Sequence, residues 1–134
     1  MFALTIQPRF LETDALGHIN NTVLPEWFEQ GREPIFKLFT PDLDISKWAL
    51  IIARIEIDFL AELHYGEDVV VETGLSKIGR SSMDIFHRAS QGGRICAQGK
   101  AIIVHYDFKQ RTSLSIPEHI RVQLEEHLLD EHPS

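Results

Sequence analysis

The stretch Leu11–Asn21, Leu-Glu-Thr-Asp-Ala-Leu-Gly-His-Ile-Asn-Asn, crowds an acid pair, a glycine, a histidine and two asparagines between apolar flanks. Asp14 is the member best suited to chemistry. It lies in a loop that runs into a helix N-terminus, where unpaired backbone N–H groups and the helix dipole favour negative charge. An ester or thioester carbonyl set against those donors would have its oxyanion stabilised. A carboxylate beside it could activate water or attack the carbonyl itself. The same residues also have a plainer use, because Asp14 or Asn21 can cap the helix or close an Asx turn. Glu12 and Asp14 would form a glycosidase-like carboxylate pair only in an extended stretch. His18 can act as a base, as a donor near an oxyanion, or as a residue that orders the loop. His18, Asp14 and Glu12 lack the spacing of a helical His-Glu-x-x-His zinc site, and no metal site is expected.

A second cluster, Lys77, Arg80, Ser81 and Ser82, flanks a tight turn at Gly79-Arg80. A cationic, hydroxyl-rich turn at a sheet rim can hold a phosphate, or can simply keep the turn soluble. The single cysteine, Cys96, sits mid-strand between Ile95 and Ala97 and reads as a buried, inert thiol. His64, His87, His105, His119, His127 and His132 show no ligand spacing, and no Gly-x-Gly-x-x-Gly or Walker pattern is present.

The elements that must position these residues follow from periodicity. Ala3–Phe10 reads as a strand in which Pro8 marks an edge or bulge. A helical period runs over residues 22–39 through Val23, Trp27, Phe28, Ile35, Leu38 and Phe39. Pro25 fits only the first turn, so Asn21 or Thr22 is the cap, and Pro34 predicts a kink or break. Strands follow over Trp48–Leu60, Val69–Ile78, Ser81–Ser90 and Arg94–Tyr106, the last two joined by a Gly92-Gly93 hairpin. Met83, Ile85 and His87 share a face. Pro117 to about Leu129 is a short helix with the stripe Ile120, Leu124 and Leu128, and Glu131–Ser134 reads as a frayed tail. Strand, central helix, then antiparallel strands make an α+β fold in which one sheet buries one long helix. Apolar residues on the other sheet face predict burial against a second subunit.

The composition agrees. A chain of 134 residues with 43% hydrophobic and 25% charged residues suits one globular domain, residues 1–134. Thirteen Lys and Arg against 20 Asp and Glu give a net charge of -7, which disfavours a general grip on nucleic acid. One cysteine rules out a disulfide framework within a chain. The N-terminus lacks the pattern of a signal peptide and no apolar run reaches membrane-spanning length, so a cytoplasmic protein without membrane attachment is expected.

Arg9-Phe-Leu-Glu-Thr-Asp-Ala-Leu-Gly-His-Ile-Asn-Asn21, with the pattern Thr-Asp-x-x-Gly-His-x-Asn-Asn, followed by Trp27-Phe28-Glu29 and Arg32, resembles the hot-dog-fold acyl-CoA thioesterases. It is most similar to their 4-hydroxybenzoyl-CoA thioesterase-like branch. Ile55–Phe59, Tyr65-Gly66, Ile78–Ser82 and Ile116-Pro117 extend the resemblance over nearly the whole chain. The resemblance implies a long central helix wrapped by a curved antiparallel sheet, with subunits paired through their sheets as dimers or dimers of dimers. It also implies active sites between subunits. Asp14 then takes the place of the nucleophile or general base on the thioester of an acyl-CoA substrate. Backbone N–H groups from Asn20 to Thr22 would polarise the carbonyl, which brings Asn21 and Thr22 into the catalytic set beside Asp14 and His18. Lys77, Arg80, Ser81 and Ser82 would touch the CoA part from a neighbouring chain. Coenzyme A is part of the substrate, and no separate cofactor is implied. Leu24 stands where many relatives carry an aromatic residue, and Pro25 where most carry no proline. A non-catalytic acyl-thioester binding protein and a dehydratase-like hot-dog protein are the competing expectations.

Overall fold

The computed structural model describes residues 1–129; the expected tail at 131–134 lies outside them. Strand β1 (Phe2–Ile6) stops short of Pro8, whose missing N–H cannot continue a ladder. Strands β2 (Leu50–Phe59), β3 (Val69–Ile78), β4 (Ser82–Gln91) and β5 (Arg94–Asp107) follow, with a two-residue β6 (Thr112–Ser113) that sequence reasoning missed. The sheet order is β1-β3-β4-β5-β2, every pair antiparallel, with β6 alongside β5. The sheet curls around a bent central helix, a hot-dog fold.

That helix begins differently from the expectation. Neither Asn21 nor Thr22 is the cap. Asn20 caps a 3-10 turn at Asn21–Val23, and its side chain accepts from the Thr22 N–H. Helix α1 (Leu24–Gly31) starts on the next residue, which leaves Pro25 in its first turn where no internal bond is lost. Pro34 acts as predicted. The helix breaks at Arg32, which ends α1 and caps α2 (Glu33–Phe39). Helix α3 (Glu118–Glu125) buries Ile120 and Leu124, but it ends before Leu128, which is 43% exposed and so drops out of the expected stripe.

Two apolar clusters form the core. One gathers Trp27 and Phe28 of α1 on Val69, Val71, Ala89 and Ala97; the other gathers Ile35, Leu124 and Ile120 on Leu75, Met83, Ile85 and Ala101. Between them runs a polar layer. Thr73 lies between Val71 and Leu75 on β3, His87 lies between Ile85 and Ala89 on β4, and Arg32 comes from the helix break; all three are buried.

Gly31 lets α1 lie against this layer. A Cβ there would stand 2.7 Å from Thr73 Oγ1 and 3.0 Å from Val71 Cγ1. Overpacking of this kind costs about 1–3 kcal/mol. Gly31→Val is therefore expected to destabilise the protein by about 2 kcal/mol, read as a lower urea midpoint with unchanged slope. An unchanged midpoint would contradict the close packing.

Candidate active site

The loop 13–20 is built by its own backbone. Asp14 N–H donates to the His18 carbonyl at 2.7 Å, and Asp14 Oδ1 accepts from the N–H groups of Leu16 (2.7 Å) and His18 (3.1 Å). Gly17, at φ +81°, supplies the left-handed residue that closes this turn. The plainer reading of Asp14 as an Asx-turn former thus holds for Oδ1. Oδ2 makes no hydrogen bond among the described residues. A Thr13–Ile19 bridge and the bonds Ile19 N–H to Leu63 O and Asn20 N–H to Glu12 O clamp the loop in place.

Beneath it, Glu12 is buried. It accepts from the Arg9 backbone N–H at 2.7 Å and from the Trp27 indole at 3.0 Å. Burial alone would raise its pKa, but these bonds and the charge of Arg9 outweigh that and hold it below the usual value. Glu12 and Asp14 do not form a pair. Each faces a different cleft.

The Asp14 cleft has a volume of about 600 Å³ and is lined by His18, Asn20 and Asn21 on one side and by Phe59, Leu60 and Ala97 on the other. The structure therefore brings Asp14, His18 and Asn21 together. It does not bring Thr22 in. Thr22 is exposed, its N–H is taken by Asn20 Oδ1 at 3.1 Å, and its hydroxyl donates to the same oxygen at 3.0 Å. Asn20 N–H is taken as well, so of the three expected carbonyl donors only the Asn21 N–H is unpaired among the described residues. His18 Nε2 lies 3.0 Å from Glu62 Oε2.

Sequence reasoning missed the segment that follows β2. Its Glu62 and Leu63 line the cleft, and the His64 ring, outside the lining, sits 5.2 Å from that of His18, edge to face. Gln91 latches this segment, accepting from the His64 N–H and donating to the carbonyls of His64 and Glu67. Cys96 lines the cleft but is buried, as expected. Among the described residues no group of three or more His, Cys, Asp or Glu could hold a metal ion.

Lys77, Arg80, Ser81 and Ser82 lie together at the β3–β4 turn, far from this cleft. From Ser82 to Ala89, the partner of Ala97, β4 spans roughly 20 Å. The turn is braced. Arg80 donates to Ser115 Oγ at 2.7 Å, Ser81 O accepts from the His105 N–H, and Arg121 donates to Gly79 O. Lys77 and Arg80 are exposed.

Residues 8–124 match the family model described as the thioesterase-like superfamily. The chain belongs to this family. It is similar to the structure of a predicted thioesterase from Bacillus stearothermophilus, with 45% identity, 98% of each chain covered and a TM-score of 0.94. It is also similar to a thioesterase of Thermus thermophilus complexed with coenzyme A and Zn, with 29% identity, 91% and 95% coverage and a TM-score of 0.81. The uncharacterised protein YsmA of Bacillus subtilis is 26% identical over 100 residues, 74% of this chain and 68% of that one. Membership of the thioesterase-like superfamily supports a general acyl-CoA thioesterase-like function. No helix among the described residues is long and apolar enough to cross a membrane.

Proposed function

We propose that the protein hydrolyses the thioester of an acyl-CoA, with Asp14 as nucleophile or general base. The observation that carries this reading is a carboxylate with one oxygen anchored by two backbone N–H groups and the other free, beside the unpaired N–H of Asn21. A thioester carbonyl placed over that N–H has its developing oxyanion stabilised. Asp14 Oδ2 then activates water, or attacks to give a mixed anhydride that water cleaves. Both routes release the free acid and CoA. His18 holds Asp14 through its backbone N–H and lends its ring, anchored on Glu62, to the cleft wall. Thr22 contributes through the cap.

The site is completed by a second copy of the chain. Strand β2 has one edge paired with β5 and the other open. Its helix-side residues Ile52, Ile55 and Phe59 are 45–54% exposed, too much apolar surface for a finished edge. Its outer side carries Arg54, Glu56 and Asp58. Strand β2 carries a bulge at Ala53, between Ile52 and Arg54, and the proposed pairing takes it into account. With Ile55 on the two-fold axis, Arg54 faces the partner's Glu56, Ile52 faces the partner's Ile57, and Leu50 faces the partner's Phe59. Leu50–Phe59, Ile52–Ile57 and Ile55–Ile55 then pair apolar with apolar and Arg54 meets Glu56, its ion-pair partner within each chain as well, while Ile51 faces the partner's Asp58. The Lys77–Ser82 turn lies at the Leu50 end of the sheet, so this pairing turns it toward the partner's Asp14 cleft, where it can meet the phosphates of CoA. Replacing both Lys77 and Arg80 by Ala is expected to raise KM about tenfold with kcat little changed. A fall in kcat at constant KM would contradict the assignment.

A panel of acyl-CoAs assayed with a thiol reagent tests the reaction. CoA release from any member supports hydrolysis. Tight binding without release favours a binding protein, and conversion of a 3-hydroxyacyl-CoA to the enoyl thioester without release favours a dehydratase.

A further inference from the structure

A second cleft, of about 490 Å³, opens at the other end of β2, between the central helix and the Leu50–Ile52 segment. Its walls are apolar, with Phe36, Trp48, Leu50, Ile52 and Ile103, yet Arg32 lines it as well. Arg32 is 3% exposed. Its Nη1 lies 3.1 Å from His87 Nε2, and its Nε has no hydrogen-bond partner. Because arginine only donates, His87 Nε2 accepts, and His87 Nδ1–H donates to Thr73 Oγ1 at 3.0 Å. His87 is neutral, held down to about 3 by burial and then by the charge of Arg32. None of the three groups in this layer supplies a negative charge. Among the described residues no carboxylate makes an ion pair with Arg32. Burial lowers the Arg32 pKa, and the charge of Glu29, exposed on the same cleft and outside ion-pair distance, opposes that shift without overcoming it. A buried, unpaired guanidinium is costly unless an anion joins it.

Leu50 lines this cleft and Phe59 lines the Asp14 cleft. In the proposed β2 pairing Leu50 faces the partner's Phe59, which sets the Arg32 cleft of one protomer against the Asp14 cleft of the other. We propose that Arg32 is the specificity-determining residue for the far end of the acyl group, and that the preferred substrates are acyl-CoAs whose acyl chain ends in a carboxylate. The thioester lies at Asp14 of one protomer, the apolar middle of the acyl group crosses Phe59 and the partner's Leu50, and the terminal carboxylate meets the partner's Arg32. This inference rests on the reading of Asp14 and of the paired β2 strands.

The test compares CoA monothioesters of straight-chain dicarboxylic acids, C4 to C10, with acyl-CoAs of the same length that end in methyl. Wild type is expected to favour the best carboxylate-ended substrate by at least about tenfold in kcat/KM, as a charge-assisted hydrogen bond allows. Arg32→Met is expected to abolish the preference while keeping turnover of the methyl-ended series, and Arg32→Lys to restore part of it. Calorimetric binding of both series to Asp14→Asn gives the same comparison without turnover, so it separates the two readings. Hydrolysis without preference, or an equal loss on both series in Arg32→Met, overturns the role of Arg32 and leaves the thioesterase reading standing. Arg32-dependent preference in binding with no hydrolysis by wild type supports the subsite and overturns the thioesterase reading. Absence of both hydrolysis and binding overturns both.

Discussion

Asp14→Asn is expected to lose about 100-fold or more in kcat on the best acyl-CoA, the scale of a lost general base, while the protein stays folded. The local geometry makes this substitution clean. Asp14 Oδ1 accepts the N–H groups of Leu16 and His18, and the amide oxygen of Asn can accept both in the same way. Only the basic, nucleophilic oxygen is lost. Asp14→Ala differs, because it also leaves two backbone N–H groups without their acceptor and loosens the turn that carries Gly17. Asn should therefore keep the wild-type melting temperature and Ala should lower it, with both inactive. Steady-state kinetics together with thermal melts read both effects. A folded Asp14→Asn protein at the wild-type rate would remove Asp14 from the mechanism.

Ile55→Glu should separate the protomers and take the activity with them. Ile55 is 47% exposed in one chain, so a charge there is tolerated by the isolated protomer. On the two-fold axis the substituted side chains meet each other about 5 Å apart, where two like charges repel by about 3 kcal/mol at an effective dielectric of 20. The apolar burial of both isoleucines is lost as well. Sedimentation should show a monomer at concentrations where wild type is a dimer or larger, and hydrolysis should fall because each Asp14 cleft has lost its other half. The charge pairs give a control. Arg54→Glu alone sets like charges opposite each other, and adding Glu56→Arg restores the complement and should restore the dimer. Unchanged mass and activity in Ile55→Glu would contradict pairing through β2.

Local chemistry made much of the scaffold legible. β-branched residues mark β3 to the residue, and Pro34 foretells the break at Arg32. Pro25 limits the helix start, but Asn20, Asn21 and Thr22 are all good caps, and the choice among them rests on Asn20 accepting from the Thr22 N–H. That choice decides which N–H groups remain free, so the reduction of the donor set to Asn21 lay beyond reach of the motif. The cleft itself was half legible. Asp14, His18 and Asn21 come from one contiguous loop, whereas Glu62 and His64 arrive on the β2–β3 connection, held by Gln91 of β4, and carry no local signal. Met83, Ile85 and His87 were placed on one face by alternation. That His87 should meet Arg32 and Thr73 there needed the helix break and the neighbouring strand together.

Turnover of a thioester is read from the amount of CoA that wild type releases from a large excess of acyl-CoA. Release should be linear in protein concentration, continue through many equivalents per protomer, and be matched one to one by free acid. Binding that saturates with no free CoA would contradict it.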